Sequence, residues 1–321
     1  MLNKKNIAII FKVIILASLL TIYFTVSMTL SGVAEQPANT PSALSTTISD
    51  STRTLEQNKA QQSEEAGKIL LILFFFFLML SITWTIIILR SDWYGWKLAA
   101  AVFWAHYGIG TILPQIESIV FLPKQLPQGM VSKLFVAGFI VSLLFAPTAT
   151  IILGRMKSAI TNAVPPLKKS WSVSKWIWTS ASVIVIYWFL YFTYGYYLAW
   201  KNPVLRDYYG GTDPGNFLAQ MAGIWASTPW MFLLQAGRAL MWVLCALPVI
   251  WMLRGKSWQV ALSIACLFAV WSFLLLLPNP FMPREVAMTH LLETITSNFI
   301  FGWIVGWLFY SRDSGKIPAP I

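Results

Sequence analysis

Charge is what this sequence has least of. Only 11% of its 321 residues are Asp, Glu, Lys or Arg, whereas 57% are hydrophobic, and the mean hydropathy is +0.65. Several apolar runs exceed the roughly 18 residues that a bilayer-spanning helix requires. The composition therefore excludes an ordinary soluble domain and predicts an all-α, polytopic integral membrane protein. No basic tract interleaved with aromatic residues is present, so the net charge of +11 does not indicate nucleic-acid binding.

Cysteine and histidine are also scarce. Cys245 and Cys266 both lie inside apolar segments, which is typical of small buried hydrophobes rather than of a disulfide framework or a metal clip. The two histidines, His106 and His290, fall at different expected depths, which argues against a haem held by two histidines. The sequence has no glycine-rich phosphate loop, no HExxH motif and no GxSxG motif. It therefore identifies neither a cofactor nor a nucleophile.

The apolar runs predict eight transmembrane helices. The first lies within residues 1–34 behind Lys4 and Lys5, and its apolar run is longer than the roughly 7–15 residues of a cleavable signal peptide. We interpret it as a signal anchor, with cleavage after Ala34 as the alternative. The remaining seven spans form a predicted bundle over residues 68–310 and are expected at 68–89, 96–121, 131–154, 174–199, 229–253, 258–278 and 287–310.

Two segments between the spans have distinctive patterns. Residues 35–67 are rich in Ser, Thr, Gln, Glu and Pro, and such a segment buries too little apolar surface to offset its loss of chain entropy. We expect a flexible polar extracytoplasmic loop there. Residues 214–227 follow the cap-like pair Asp213-Pro214 and carry apolar residues at helical spacing. This segment is too short to span, so we expect a helix lying flat at the outer interface.

Basic residues give the expected orientation, because cytoplasmic loops carry an excess of Lys and Arg. With the N-terminus in the cytoplasm, 14 of the 23 Lys and Arg fall inside, 8 fall outside and Arg238 lies within a span. The inner residues are Lys4, Lys5, Lys12, Arg90, Lys97, Arg155, Lys157, Lys168, Lys169, Lys175, Arg254, Lys256, Arg312 and Lys316. We therefore expect an integral protein of a bacterial cytoplasmic (inner) membrane, with both termini, including a tail at 311–321, in the cytoplasm.

Aromatic residues and glycines within the spans have ordinary interpretations. An aromatic belt at the outer interface accounts for a group of six residues, and a pocket for a lipid-like ligand is the alternative. The group comprises Trp188, Tyr191, Tyr194, Tyr196, Tyr197 and Trp200. Gly302 and Gly306 have the GxxxG spacing that permits close helix packing.

Ionisable residues inside the predicted spans mark the candidate site. An ionisable group within a membrane costs on the order of 3 kcal/mol or more, so it is rarely kept without a partner or a task. His290 and Glu293 share one face of the last span, and Glu117 and Arg238 lie at about the same depth in two other spans. Three helices distant in sequence therefore place ionisable groups in one layer of the outer leaflet.

Pairing within this layer follows from which groups can lose their charge. Arg238 is always charged, whereas a buried carboxylate can take up a proton, so Arg238 is expected to pair with Glu117 or Glu293. Gln235, one turn earlier, could add a hydrogen bond. The remaining carboxylate, beside His290, is then free to exchange protons or bind a cation.

Further candidates lie around this layer. His106 precedes Glu117 by eleven residues, close to three helical turns, so we expect one polar helix face that could line a path. Asn298 extends the polar face of the last span. Outer-loop candidates are Arg206, Asp207 and Arg284.

These features leave three functional hypotheses open. The first is transport or binding of a small ion, a proton or an amphipathic ligand at the outer polar layer. The second is an intramembrane enzyme that acts on a lipid or isoprenoid, with Glu293 or Glu117 as acid or base and His290 tuning it. The third is a structural or accessory subunit whose polar residues serve helix packing alone. A metal held by Glu117, His290 and Glu293 has suitable ligand types but a weak pattern, and protein partners are unknown.

Overall fold

The structure is a computed structural model that describes residues 4–33, 51–157 and 171–310. Every regular element in these ranges is helical. Seven of the helices are long and apolar enough to cross a membrane. They cover Lys4–Leu30, Ser63–Leu89, Met130–Ile152, Val173–Trp200, Trp230–Met252, Ser257–Leu276 and Arg284–Phe309. The chain is therefore a multi-pass helical membrane protein.

The helices follow one another with short connections. Their bounds are α1 Lys4–Leu30, α2 Ser51–Leu89, α3 Gly95–Tyr107, π1 Gly108–Ile112, α4 Leu113–Phe121, α5 Met130–Ile152, α6 Val173–Tyr194, π2 Gly195–Trp200, α7 Pro203–Tyr209, α8 Phe217–Ser227, α9 Trp230–Met252, α10 Ser257–Ala269, a 3-10 segment Val270–Leu276, and α11 Arg284–Phe309.

The second helix is longer than the apolar run predicts. It begins at Ser51, so the second half of the expected loop 35–67 is helical. Residues 51–67 are rich in Glu, Gln, Lys and Ala, which are good helix formers, and they extend a helix that the membrane span already nucleates. An exposed pair between Lys68 Nζ and Glu64 Oε1, at 2.6 Å, supports this extension. Residues 34–50 and the expected tail 311–321 lie outside the described residues.

The expected span 96–121 is a helix with a π-helical turn in its middle. Elements α3, π1 and α4 are continuous, and within π1 the Leu113 amide bonds the carbonyl of Gly108, five residues earlier. Pro114 follows directly. Proline has no N–H to donate and its ring clashes with the preceding turn, and a wider turn relieves both problems. This segment is not one of the seven spans that length and hydropathy identify.

The loop after α6 and π2 contains two short helices where one was expected. Helix α7 is capped by Asn202, whose side chain accepts a hydrogen bond from the Val204 amide, and Pro203 occupies its first turn. Helix α8 begins at Phe217 and is capped by Asn216, so the predicted cap at Asp213 is wrong. Asp213 Oδ1 instead accepts from the amide of Gly215, whose φ of +74° turns the chain before the helix starts.

Contacts between loops define two ends of the bundle. At the basic end, which carries Arg90, Arg155 and Arg254, the Arg254 amide donates to the Arg90 carbonyl and the Gly95 amide donates to the Arg155 carbonyl. At the aromatic end, Asn202 Nδ2 donates to Thr289 Oγ1 and Tyr208 Oη donates to the carbonyl of Phe281. The aromatic end holds α7, which contacts the start of α11.

Close packing of α10 on α11 depends on the two glycines of the GxxxG spacing. A Cβ at Gly302 would press on the backbone of Ile264 and Ala265, and one at Gly306 would press on the backbone of Ala261. Because backbone atoms cannot move aside as a side chain can, these two positions accept only glycine without a shift of one helix. Small residues at such positions are what permit close approach of helices in a membrane.

We expect Gly302→Ala to destabilise the bundle by about 1–3 kcal/mol through overpacking. The matched control is Gly237→Ala on α9, where a Cβ meets nothing within 4 Å. This change should leave stability unchanged or raise it slightly through helix propensity. Thermal unfolding of the purified protein in detergent measures both changes. Equal melting temperatures for the two variants would contradict the close-packing account.

Candidate functional site

Arg238 lies almost fully buried in the middle of α9. Its Nη2 is 2.5 Å from Glu117 Oε1 on α4, and its Nη1 donates to Gln235 Oε1 at 2.8 Å. Gln235 sits one turn earlier on the same helix and is itself fully buried. A carboxylate and an amide oxygen therefore satisfy two of the guanidinium nitrogens.

Two tyrosine rings complete the surroundings of the guanidinium. Its Cζ lies 5.8 Å from the ring centroid of Tyr187 and 6.0 Å from that of Tyr191. These residues are four apart on α6, so both rings project from one helix face. A cation over an aromatic face is stabilised by the ring quadrupole, most strongly where water is excluded. Helices α4, α6 and α9 therefore meet at Arg238.

A second network joins α11 to the short helix α7. His290 Nδ1 lies 2.8 Å from Glu293 Oε2, and His290 Nε2 lies 3.0 Å from the hydroxyl of Tyr209. An ionised carboxylate only accepts hydrogen bonds, so Nδ1 donates to it, and Nε2 of the neutral ring accepts from the tyrosine. We call Tyr209, His290 and Glu293 the hydrogen-bonded triad.

The local helix chemistry fixes the triad in place. The hydroxyl of Thr294 donates to the His290 carbonyl at 2.6 Å, and that of Ser297 donates to the Glu293 carbonyl at 2.7 Å. The other carboxylate oxygen, Glu293 Oε1, faces Gly195 in π2, where a Cβ would stand 3.7 Å away. π-helical turns occur often at functional sites, and here one presents its glycine to a carboxylate.

The ion pair and the triad lie within electrostatic reach of each other. The charge of Glu117 acts on His290, and Glu117 and Glu293 both act on Tyr187 and Tyr191. We refer to Glu117, Arg238, His290 and Glu293 together as the polar cluster. The exposed fraction of the side chain is 6% for Arg238, 13% for Glu293, 20% for His290 and 41% for Glu117. The cluster is therefore buried on the α9 side and open at Glu117.

Tyr209 is held as a neutral donor. Burial raises the pKa of its phenol, and Tyr208, Glu117 and Glu293 raise it further. Its ring also lies edge-on to the His290 ring, with centroids 5.8 Å apart. The phenol therefore keeps its proton at neutral pH and donates it to the imidazole.

His106 lies apart from the polar cluster. Its Nδ1 is 2.9 Å from Ser142 Oγ on α5, and the rings of Phe145 and Trp271 are each 4.9 Å from its ring. The expected common face with Glu117 is not observed, because π1 lies between them and one extra residue in a turn rotates the rest of the helix by about 100°. His106 faces α5 and the 3-10 segment, whereas Glu117 faces α9.

The other candidates have local partners. Arg206 Nη1 donates to the Trp200 carbonyl at 2.7 Å and lies 3.6 Å from Asp213 Oδ2, while Asp207 is exposed. Arg284 Nη1 donates to the Leu276 carbonyl at 2.6 Å, which ties the 3-10 segment to the start of α11. Asn298 is partly buried along α11. None of these contacts connects the outer-loop residues to the polar cluster.

Sequence reasoning missed the tyrosines. Tyr209 had a signal, since Asn202-Pro203 is a cap followed by proline at the first helical position and so predicts the short helix that carries it. Tyr187 and Tyr191 also had one, a four-residue spacing within a span, but Tyr191 was interpreted as part of an aromatic belt. Within residues 4–33, 51–157 and 171–310, no group of three or more His, Cys, Asp or Glu is placed to hold a metal ion.

Comparisons of the chain with protein-family models, with curated proteins and with solved structures found no match. The geometry of the polar cluster is therefore the basis for assigning a function.

Removing either partner of the ion pair should have unequal costs. Glu117→Leu strands a charged, nearly buried guanidinium and should destabilise the protein by about 3 kcal/mol, whereas Arg238→Met leaves a carboxyl that can reach solvent or take up a proton and should cost less. The double variant should recover much of the loss. Unfolding in detergent measures all three, and a costlier Arg238→Met would contradict this assignment.

Proposed function

We propose that the chain is a membrane transport protein that binds and passes a small cation, the proton above all, through its hydrogen-bonded triad. The observation that carries this proposal is the unbroken contact from the Tyr209 hydroxyl through both nitrogens of His290 to the carboxylate of Glu293. An imidazole hydrogen-bonded at both nitrogens can receive a proton at one and release a proton from the other.

Each proton transfer through the triad conserves charge and atoms. A proton arriving at the aromatic end reaches the hydroxyl of Tyr209, whose own proton passes to His290 Nε2. The proton on Nδ1 passes to Glu293 Oε2, which leaves a neutral carboxyl and a neutral imidazole. Return of the imidazole to its first tautomer resets the site. Arg238 stays paired with Glu117 throughout, so its fixed charge favours the ionised form of Glu293 before each transfer.

The energetics of the membrane support a functional role. Three ionisable groups on α4 and α11, besides Arg238, are kept in segments that otherwise read as lipid-soluble, at an insertion cost on the order of 3 kcal/mol each. The ion pair alone accounts for Arg238 and Glu117. It gives no reason to keep His290 and Glu293, and proton exchange does.

An eight-crossing arrangement with both termini in the cytoplasm is part of this proposal. The continuous path α3, π1 and α4 supports the eighth crossing, because it starts beside Arg155 at the basic end and leads to Gln125, whose amide donates to the Tyr208 carbonyl at the aromatic end. The arginines gathered at the basic end support a cytoplasmic location for that end. The aromatic end and α8 would then lie at the outer interface.

A lipid-modifying intramembrane enzyme is the second candidate. The exposed carboxylate of Glu117 favours it, since this acid on a membrane helix could be reached from the side of the bundle. In that case Glu117 and Glu293 would supply an acid and a base, with His290 tuning the latter. A carboxylate already paired with Arg238 is a poorer base than a free one, which is why we prefer the transport proposal.

The orientation predicts which loops a reagent can reach. In a variant with Cys245 and Cys266 replaced by alanine, Thr212→Cys should react with a membrane-impermeant maleimide in intact cells. Ser257→Cys, next to Arg254 at the basic end, should react only after permeabilisation. Both native positions are exposed. The reverse labelling pattern would invert the orientation and move the polar cluster to the inner leaflet.

Proton flux tests the function directly. In vesicles carrying the purified protein and a potassium diffusion potential, a trapped pH dye should report proton entry well above that of protein-free vesicles. Glu293→Gln should cut the flux by about 100-fold, as expected for loss of one positioned proton-transfer group, and Tyr209→Phe should also reduce it. The matched control is Glu285→Gln, an exposed carboxylate on the same helix, which should leave the flux unchanged.

Two results would overturn the transport proposal. One is a flux no faster than that of protein-free vesicles. The other is an equal flux in Glu293→Gln and wild type. Turnover of an added lipid that depends on Glu117 would instead favour the enzyme.

A further inference from the structure

The basic end is built around one turn of the chain, Ser91-Asp92 between α2 and α3. This turn runs antiparallel to the turn between α9 and α10: Ser91 pairs with Leu253, and the Asp92 amide donates to the Met252 carbonyl at 2.6 Å. The end of α5 joins them through the Gly95 amide, which donates to the Arg155 carbonyl at 2.9 Å. Three parts of the chain that are distant in sequence therefore form one rigid surface.

Two guanidinium groups converge on this turn. Arg155 Nη2 and Arg254 Nη2 both donate to the Ser91 carbonyl, the latter at 3.2 Å. Arg155 Nη2 also donates to the Trp93 carbonyl at 3.2 Å, and Arg254 Nε lies 2.6 Å from Asp92 Oδ1. A single carbonyl oxygen shared by two cations holds like charges side by side.

Positive charge exceeds negative charge at this point. Burial lowers the pKa of Arg155, the neighbouring Arg254 lowers it further, and Asp92 offsets only part of this. Lys97 adds a third cation nearby, with its Nζ 4.1 Å from the ring of Trp93. The repulsion among these groups is a cost that a bound anion would relieve.

The surroundings favour an anion that is attached to a lipid. Arg254 is 57% exposed, so its guanidinium can be reached. Exposed aromatic side chains, Tyr94, Trp96 and Trp258, surround the turn. Such residues sit at the headgroup level of a bilayer, where phosphate groups are abundant. Arginine binds phosphate oxygens through paired hydrogen bonds, which lysine cannot reproduce.

We propose that Arg155 and Arg254, set on the Ser91-Asp92 turn, form a binding site for the phosphate of an anionic phospholipid headgroup. The shared chemistry with free phosphate is the oxyanion that both guanidinium groups contact. The acyl chains of the lipid would run along the apolar surfaces of the helices that end here. This site does not depend on the proposed transport function.

Binding of a short-chain phosphatidylglycerol to the full-length protein in neutral detergent tests the proposal, with native mass spectrometry as the readout. The wild type should bind phosphatidylglycerol at least about tenfold more tightly than phosphatidylcholine, whose choline cancels the phosphate charge, and more tightly than inorganic phosphate. Arg254→Gln should weaken phosphatidylglycerol binding by about tenfold or more. Lys256→Gln, an equal charge loss two residues away, should weaken it by about fivefold at most, the loss expected of one surface charge.

A second variant keeps the test independent of folding. Arg254→Lys retains the charge next to Asp92, and it should still weaken binding because the paired hydrogen bonds are lost. Equal losses in Arg254→Gln and Lys256→Gln would overturn the site in favour of a general surface potential. Equal affinity for the two lipids would overturn it as well. An affinity for inorganic phosphate that matches the lipid affinity would overturn the lipid assignment.

Discussion

A permanently charged guanidinium buried within a membrane helix is the constraint that organises this protein. Arginine does not lose its proton, so Arg238 must find its compensation inside the bundle. The compensation comes from three directions: Glu117 on α4, Gln235 on the same helix, and the rings of Tyr187 and Tyr191 on α6. Each partner works only at one depth and one rotation of its helix. The charge therefore fixes the relative register of α4, α6 and α9 more narrowly than contacts among apolar side chains could.

The two carboxylates of the polar cluster have different partners, and this difference gives them different chemistry. Glu117 lies against a cation that never loses its charge. Glu293 lies against an imidazole, which exchanges protons near neutral pH, and the imidazole in turn contacts a phenol. One pair is thus suited to hold the helices together and to set the local electric field. The other group is suited to respond to protons within that field. The short distance between them lets the fixed pair influence the protonatable one.

Much of the fold follows from the sequence, and the site follows only in part. Long apolar runs indicate spans whatever their neighbours are, and the need of Arg238 for an acidic neighbour is a matter of energy alone. The choice of Glu117 depends on helix rotation, which depth along a span does not specify. His106 was misplaced because a π turn is a local irregularity with no clear pattern of its own. Tyr209 reaches His290 only because α7 folds back onto α11, a contact between residues 81 apart in sequence.

The π turns also bear on how such a sequence can change over generations. Relative to an ordinary helix, Gly108–Ile112 holds one residue more than a regular turn would, and it stands between α3 and α4. Loss of a single codon there could be absorbed by tightening the turn, so the span itself would survive. Everything after it would swing by about 100°, however, and Glu117 would leave Arg238. Insertions and deletions tolerated elsewhere along this helix would thus be selected against at its middle, by a penalty exacted several residues downstream.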